Sequence, residues 1–272
     1  MGLGLVVQIV GVLPFSWLVS ANLSHGASVP WACAVEMVLL WLLYRYLGGW
    51  GWPASTAARR RRLFRSNRLD PRLLWPATTA SCLLGVSISL LVILAYMLVR
   101  FPPSAGETFL AIAAGPPVTA VSLLVTLAVM TGIVEEGAFR GYMQVPIEAR
   151  RGPVVAVSVV AVAFAVAHFP PPLIVPLFVI GAAGWSILAW LLNSTVPGMI
   201  VHALVDAVFL CWVWYDPGGF QALLARSVIE TGSDSVFVAA AVATAVSVGA
   251  TGLAFVWLGQ SRALLNAGAS AA

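Results

Sequence analysis

The chain has 272 residues, of which 61% are hydrophobic and only 9% are charged. A soluble globular domain carries roughly 25% charged residues, so this composition excludes that class and indicates one integral-membrane domain over residues 1–272. The net charge is +4, and the 14 basic residues are all Arg. They are concentrated in a few segments and do not cover one face as a nucleic-acid binder requires, so no nucleic-acid partner is expected.

Eight apolar stretches predict an all-α polytopic membrane protein with about eight transmembrane helices, whose solvent is the lipid bilayer. The fourth stretch is expected to continue as a more polar helix towards residue 148, and the part of the chain that carries the functional motifs is 118–215. The predicted spans are 2–22, 30–48, 73–99, 109–134, 153–169, 173–192, 197–215 and 235–258.

The connection between the second and third spans fixes the expected orientation. The positive-inside rule places its seven Arg residues in the cytoplasm. Alternation then puts both termini and the connection at 150–151 on the cytoplasmic side of the cell membrane, and the loop at 216–234 outside. We interpret the cluster as a topology signal, with a specific site for anionic lipid as the alternative. Its members are Arg59, Arg60, Arg61, Arg62, Arg65, Arg68 and Arg72.

Ionisable residues inside the predicted helices are the default functional candidates, because a charge in hydrocarbon costs on the order of 3 kcal/mol. Six of the seven fall into three short patterns. The seventh, Glu36, has no assigned partner, and we interpret it as a helix-packing residue. The candidates are Glu36, Glu135, Glu136, Arg140, His168, His202 and Asp206.

The first pattern is Glu135-Glu136-x-x-x-Arg140. On a helix Glu136 and Arg140 are four residues apart and can form an ion pair, whereas Glu135 is rotated by about 100° and faces Phe139. Glu135 is then a carboxylate without a cationic partner in a low-dielectric environment, which makes it the candidate general base. The alternative is that both acids merely brace Arg140 between helices.

The second pattern is Phe164-x-x-x-His168. The midpoint of positions 135 and 168 falls on the turn at 150–153, and residues equidistant from the turn of an antiparallel hairpin lie level. Glu135 and His168 would each lie roughly 25 Å from that turn at 1.5 Å per residue. Phe164 is one turn before His168, so its ring can pack beneath the imidazole. We therefore expect Glu135 and His168 to meet.

The third pattern is His202-x-x-x-Asp206, which puts both side chains on one helical face. Asp206 could orient the imidazole, complete a metal site, or hydrogen-bond a reacting oxygen if it is protonated. The alternative is a buried pair that only holds helices together. Straight spans of equal length would place His168 and His202 at different depths, so the sixth span would have to be tilted, short or partly re-entrant.

Together the three patterns resemble the CPBP intramembrane protease family, also called the CAAX protease and bacteriocin-processing (Abi) family, which includes the Rce1-type prenyl endopeptidases. The resemblance rests on Glu-Glu-Gly-Ala-Phe-Arg-Gly-Tyr at 135–142, Phe-Ala-Val-Ala-His at 164–168 and His-Ala-Leu-Val-Asp at 202–206. It implies an eight-helix peptidase whose cavity opens towards the cytoplasm and the lipid. The first three spans carry no part of it.

The resemblance also implies roles for the site residues. Glu135 with His168 would activate the hydrolytic water, and His202 with Asp206 would stabilise the oxyanion or, in the metalloprotease description of the family, bind a metal. The prenyl-protein members carry Asn where this chain has Asp206, and an ionised carboxylate repels an oxyanion that an amide would stabilise. The cofactor is expected to be none or zinc, and zinc would be held by His168, His202 and Asp206.

The sequence therefore predicts an intramembrane endopeptidase that hydrolyses a peptide bond of a membrane-proximal or lipidated peptide or protein. Glu136, Arg140 and Phe164 are expected to support the site. Two alternatives are an idle immunity or scaffold protein of the same fold and a proton-coupled transporter. The absence of an inverted repeat or a Gly-broken helix pair disfavours the transporter.

Overall fold

The computed structural model describes residues 2–25 and 28–270, and within these two ranges the chain is helical with no strand. Four short 3₁₀ turns join the helices, and a π-helical segment, Glu136–Met143, continues the sixth helix. The helices are α1 (Gly2–His25), α2 (Trp31–Leu47), α3 (Ala57–Phe64), α4 (Leu74–Leu98), α5 (Glu107–Ala113), α6 (Pro117–Glu135), α7 (Gln144–Arg151), α8 (Pro153–Ala167), α9 (Val175–Leu192), α10 (Val196–Tyr215), α11 (Pro217–Ala225), α12 (Val228–Thr231) and α13 (Ser235–Ser270).

Within the described residues, six helical segments are long and apolar enough to cross a bilayer, which confirms the all-α polytopic class. The other two predicted spans correspond to α2, with 17 residues, and α8, with 15 residues. At 1.5 Å per residue, α8 covers about 22 Å of a hydrocarbon core that is about 30 Å thick. Eight crossings therefore remain a prediction. The six segments are Gly2–His25, Pro71–Leu98, Pro117–Arg151, Pro172–Leu192, Val196–Tyr215 and Ser235–Ala267.

Two predicted boundaries are wrong. The fourth span was expected at 109–134, but α5 ends at Ala113 and α6 starts only at Pro117. Pro116 and Pro117 lack the backbone N–H that a continuous helix needs, so the helix breaks before them. The last span was expected to end at 258, whereas α13 continues to Ser270. The polar residues that follow position 258 therefore do not end this helix.

The extension of the fourth span is helical, as predicted, but its first eight residues form a π-helix. Each of these residues, Glu136 to Met143, is buried. A π segment inserts extra backbone into a helix and is frequent at functional sites. It begins directly after Glu135, so Glu135 ends the α-helix while Glu136 and Arg140 lie in the π-helix.

Helices α6 and α10 form the centre of the bundle, and small residues let them approach closely. A Cβ atom on Gly132 would lie 2.6 Å from the Met199 carbonyl oxygen and 3.0 Å from the Ala203 Cβ. Small residues at helix interfaces permit this approach in membranes. The first pattern, which begins at Glu135 at the end of α6, and the His202–Asp206 pattern on α10 therefore face each other across this interface.

The loops separate onto two faces of the bundle. On one face Arg65 pairs with Glu148, and the Asn67 amide donates to the Asn193 carbonyl at 2.8 Å. Arg262 donates to the Trp190 carbonyl at 2.8 Å. We call this the Arg-rich face, and it contains 47–73, 144–153, 193–196 and the end of α13. The segments 99–116 and 216–234 lie on the opposite face.

A cysteine-labelling experiment tests the orientation. In a background without Cys33, Cys82 and Cys211, a thiol introduced by Ser66→Cys is expected to react with a membrane-impermeant maleimide in inside-out vesicles and not in intact cells. Labelling from outside intact cells would reverse the orientation of the whole protein.

Candidate active site

Three helices bring one carboxylate and two imidazoles together. The Glu135 Oε2 atom, at the end of α6, lies 3.9 Å from His168 Nε2 at the end of α8. The same oxygen lies 3.8 Å from His202 Nε2 on α10. Glu135 and His168 therefore lie side by side at the same depth in the bundle, as their equal distances from the turn at 150–153 predict.

Glu135 is buried, and no Arg side chain pairs with it in the described part of the chain. Its Oε1 atom accepts a long hydrogen bond, 3.4 Å, from the Gln8 amide on α1. Its Oε2 atom has no hydrogen-bond partner among the described residues and faces the two imidazoles. This oxygen is the one available to accept a proton.

Glu136 and Arg140 form the predicted ion pair, with Arg140 Nη1 3.1 Å from Glu136 Oε1 and both side chains 0% exposed. Arg140 also donates to the Ala182 carbonyl at 3.1 Å, and its guanidinium lies 4.3 Å from the Phe164 ring centroid. Glu136 Oε1 lies 3.0 Å from His202 Nδ1 as well. One carboxylate thus links the Arg on the π segment to the imidazole on α10.

His168 follows the last residue of α8 and is partly exposed, with 34% of its side chain accessible. Its Nδ1 atom lies 2.8 Å from the Phe164 carbonyl. A carbonyl only accepts, so Nδ1 carries the proton and, in the neutral ring, Nε2 presents a lone pair towards Glu135. The Phe164 ring packs against the imidazole with centroids 4.4 Å apart, as its spacing predicts.

His202 is held on two sides. Glu136 accepts from Nδ1, and the Trp185 ring stacks on the imidazole with centroids 5.3 Å apart and an interplanar angle of 10°. Its Nε2 atom lies 3.7 Å from Asp206 Oδ2. The nitrogen that faces Glu135 is therefore Nε2 in both His168 and His202.

Asp206 has a partner that the sequence analysis did not identify. The Thr131 hydroxyl lies 2.6 Å from Asp206 Oδ2 and 2.9 Å from the Ala128 carbonyl. A hydroxyl has one proton, so Thr131 donates either to an ionised Asp206 or to Ala128, and in the second case a protonated Asp206 donates to Thr131. An amide at position 206 would make the same hydrogen bond.

Straight spans of equal length would place the two histidines at different depths in the membrane. They lie at the same depth because α8 is short. After 15 residues this helix ends, so His168 and the turn at 168–174 lie at the level of the site. His202 lies only six residues into α10, yet both imidazoles approach the same oxygen of Glu135. The short element is the fifth predicted span and not the sixth.

The geometry also bears on zinc. The proposed ligands His168, His202 and Asp206 are near one another, but within residues 2–25 and 28–270 no group of three His, Cys, Asp or Glu side chains is arranged to hold a metal ion. The arrangement does not fit the expected three-ligand zinc set.

Sequence reasoning missed three residues that touch the site: Gln8, Thr131 and Trp185. Thr131 could have been found, because it precedes Glu135 by four residues on the same helical face. Gln8 and Trp185 reach the site only through the packing of α1 and α9. Glu36 is buried at 1% exposure on α2, and it is not among the residues that line the cavity described next.

The site opens into a cavity of about 890 Å³. The motif residues on its wall are Glu135, Phe164, His168, His202 and Asp206. From them the cavity extends between α4, α9 and α10 towards α11, on the face opposite the Arg-rich one. The expectations of a cytoplasmic Arg-rich face and of a cavity that opens towards the cytoplasm are therefore incompatible.

Residues 117–208 match the family model described as Type II CAAX prenyl endopeptidase Rce1-like. The matched segment, about a third of the chain, contains all three patterns, from Glu135 to Asp206. No match was found among the curated proteins or among the solved structures. The motif-bearing segment is therefore similar to the Rce1-like type II CAAX prenyl endopeptidases, and this similarity supports a CAAX-protease type of assignment for that part of the chain.

Proposed function

We propose that the protein is an intramembrane endopeptidase that hydrolyses a peptide bond of a membrane-proximal or lipidated peptide. The observation that carries the proposal is the approach of His168 and His202 to the unpaired oxygen of Glu135, at 3.9 and 3.8 Å. An idle scaffold does not require a carboxylate and two imidazoles around one point on a cavity wall.

The first step is activation of water. A water oxygen that bonds two atoms at about 2.8 Å each holds them roughly 4 to 5 Å apart, and the Glu135–His168 distance of 3.9 Å is close to that range. Glu135 accepts one proton of this water while His168 Nε2 accepts a hydrogen bond from the other. The oxygen then attacks the carbonyl carbon of the substrate.

The second step is collapse of the tetrahedral intermediate. The imidazolium form of His202 donates from Nε2 to the oxyanion, and Asp206 acts as a hydrogen-bond donor or orients His202. As the carbon–nitrogen bond breaks, Glu135 returns the proton to the leaving amine. The new carboxylic acid has then received the oxygen and one hydrogen of the water, the new amine has received the other hydrogen, and the enzyme groups have regained their original protonation.

Comparison of membrane proteomes tests this proposal. New peptide termini are expected in cells that express the parent protein and not in cells that express Glu135→Ala, whose uncleaved substrates accumulate or remain bound. Glu36→Ala provides a control that removes another buried carboxylate. Identical termini with the parent and with Glu135→Ala would refute the proposal and favour the scaffold.

Replacement of Asp206 separates two mechanisms. If Asp206 orients His202 or donates as an acid, Asp206→Asn is expected to keep activity within about tenfold of the parent, since the amide can also donate. If Asp206 is a zinc ligand, the same change removes the ligand and sharply weakens metal binding. Activity is measured after exhaustive chelation, together with metal content by elemental analysis.

The parent protein supplies the decisive comparison. Full activity in the metal-stripped parent would support water activation by Glu135 and His168 alone. A parent that purifies with stoichiometric zinc, loses activity on chelation and regains it with zinc would contradict the metal-free mechanism.

A further inference from the structure

The turn that follows α2 is held in place by a buried arginine. Arg60, on α3, is buried, and its guanidinium donates to three backbone carbonyls. These are the carbonyls of Tyr46 at 2.9 Å, Trp50 at 3.1 Å and Gly51 at 3.0 Å. Because one side chain satisfies three carbonyls of this turn, the end of α2 and the start of α3 form one fixed unit.

Two further arginines lie beside this turn, and both are exposed. The guanidinium of Arg45, near the end of α2, lies 5.7 Å from the ring centroids of both Trp41 and Trp50. Arg61, on α3, passes close to Gly49, where a Cβ would lie 2.7 Å from the Arg61 Cγ and 3.2 Å from its Nη1. Since Gly49 and Trp50 are neighbours in the chain, both guanidinium groups lie at the same turn.

Neither of these two arginines is neutralised by an acidic side chain. Between positions 45 and 72 the sequence contains eight arginines and one acidic residue, Asp70. Arg45 and Arg61 form no ion pair within the described residues. The arginines that do form ion pairs there are Arg65, Arg100, Arg140 and Arg226. The turn therefore has an uncompensated positive charge, which attracts an anion.

The exposed face of α2 that leads to Arg45 is apolar. Val35, Val38 and Leu42 are exposed, and they lie three or four residues apart, so with Arg45 they form one stripe along the helix. The ten residues from Val35 to Arg45 correspond to about 15 Å, which is half of a hydrocarbon core about 30 Å thick. The stripe therefore matches an acyl chain of one leaflet whose polar end lies at Arg45.

We propose that this turn binds an anionic phospholipid, whose phosphate is held by Arg45 and Arg61 and whose acyl chain lies along the exposed face of α2. The planar guanidinium presents paired N–H donors that match the oxygens of a phosphate. Trp41 and Trp50 keep the Arg45 guanidinium at the polar end of the stripe through cation–π contacts. Two cations without a carboxylate favour a headgroup with net negative charge over a zwitterionic one. The site depends neither on which side of the membrane the turn faces nor on peptidase activity.

Packing connects this lipid site with the π segment of the candidate active site. Phe64, three residues after Arg61, is buried and packs edge-on against Tyr44 of α2, with ring centroids 5.1 Å apart. A Cβ on Gly137 of the π segment would lie 3.0 Å from the same Phe64 ring. A lipid that bridges α2 and α3 is therefore expected to stabilise the contact between α3 and the π segment, and to raise the unfolding temperature of the protein.

Native mass spectrometry of the detergent-purified protein tests the site. Phosphatidylglycerol and phosphatidylcholine with identical acyl chains are titrated separately, and the fraction of protein with one bound lipid gives an apparent Kd. The parent is expected to bind phosphatidylglycerol about tenfold or more tightly than phosphatidylcholine. Arg45→Gln and Arg61→Gln are each expected to weaken phosphatidylglycerol binding about fivefold, and the double variant about 25-fold, since one arginine near anionic lipid contributes a factor of about five.

Arg68→Gln is the matched control, because it removes one exposed arginine from the same Arg-rich face. Arg68 follows Asn67, whose side chain ties this part of the chain to the turn between α9 and α10. The control is expected to bind phosphatidylglycerol within about twofold of the parent. Phosphatidylglycerol is also expected to raise the unfolding temperature of the parent and of Arg68→Gln, but not that of the double variant.

Four results would overturn the proposal. Equal binding of the two lipids by the parent, or no retained lipid at all, would show that the turn does not select an anionic headgroup. Equal weakening by Arg68→Gln and by Arg45→Gln would show attraction to the net charge of the whole face. Displacement of phosphatidylglycerol by an equal concentration of inorganic phosphate would show a site for a free anion, to which the apolar stripe contributes nothing.

Discussion

Glu135→Gln is expected to lower the rate of peptide cleavage by about 10²- to 10⁴-fold, the usual contribution of a general base. Gln keeps the size of the side chain and can still bond Gln8, but it cannot accept a proton from water. The Glu135 Oε2 atom makes no hydrogen bond in the described chain, and His202 keeps its contact with Glu136, so the replacement leaves no buried charge unpaired. The thermal unfolding temperature in detergent should therefore stay close to that of the parent.

Glu36→Gln is the matched control for this prediction. Glu36 is also a buried glutamate on an apolar helix, and its Oε2 atom lacks a hydrogen-bond partner among the residues described. It is absent from the cavity wall, so its replacement is expected to preserve cleavage. A Glu135→Gln protein as active as Glu36→Gln would show that Glu135 is not the base.

Glu136→Gln is expected to act mainly on stability. Glu136 pairs with Arg140 and with His202, and it is fully buried. Removal of one partner of a buried ion pair typically costs about 3–5 kcal/mol, because the other charge remains in a low-dielectric environment. This corresponds to a fall in unfolding temperature on the order of 10 °C for a chain of this size.

The control for Glu136→Gln is Glu230→Gln. This change breaks an ion pair with Arg100 whose side chains are 54% and 59% exposed, and exposed pairs contribute about 0–1 kcal/mol. Both variants are compared by thermal unfolding in the same detergent. Equal unfolding temperatures in the two variants would exclude a structural role for the Glu136–Arg140–His202 cluster.

The meeting of Glu135 and His168 could be predicted from sequence because it depends only on helical rise and on the turn at 150–153. The i,i+4 contacts of Glu136 with Arg140 and of Phe164 with His168 follow from the same regularity. The contact of Glu136 with His202 does not, because it joins α10 to the π segment. Eight consecutive buried residues give no periodic pattern by which a π-helix could be distinguished from an α-helix.

The side on which the cavity opens could not be predicted either. It depends on how α4, α9 and α10 separate in one half of the bundle and on how α3 covers the other half. The short α8 contributes as well, since Pro170, Pro171 and Pro172 marked a break in the sequence without giving the depth at which it occurs. Gln8 was missed for a similar reason, because no local pattern relates α1 to residue 135.

Cleavage in ¹⁸O-labelled water by the purified parent, Glu36→Gln and Glu135→Gln proteins tests the central claim most directly. The substrate is a peptide identified from the new termini, and mass spectrometry follows the new carboxyl group. The account predicts incorporation of labelled oxygen with the parent and with Glu36→Gln, at rates about 10²-fold or more above that of Glu135→Gln. Incorporation by Glu135→Gln at the parental rate would contradict the assignment of Glu135 as the group that activates water.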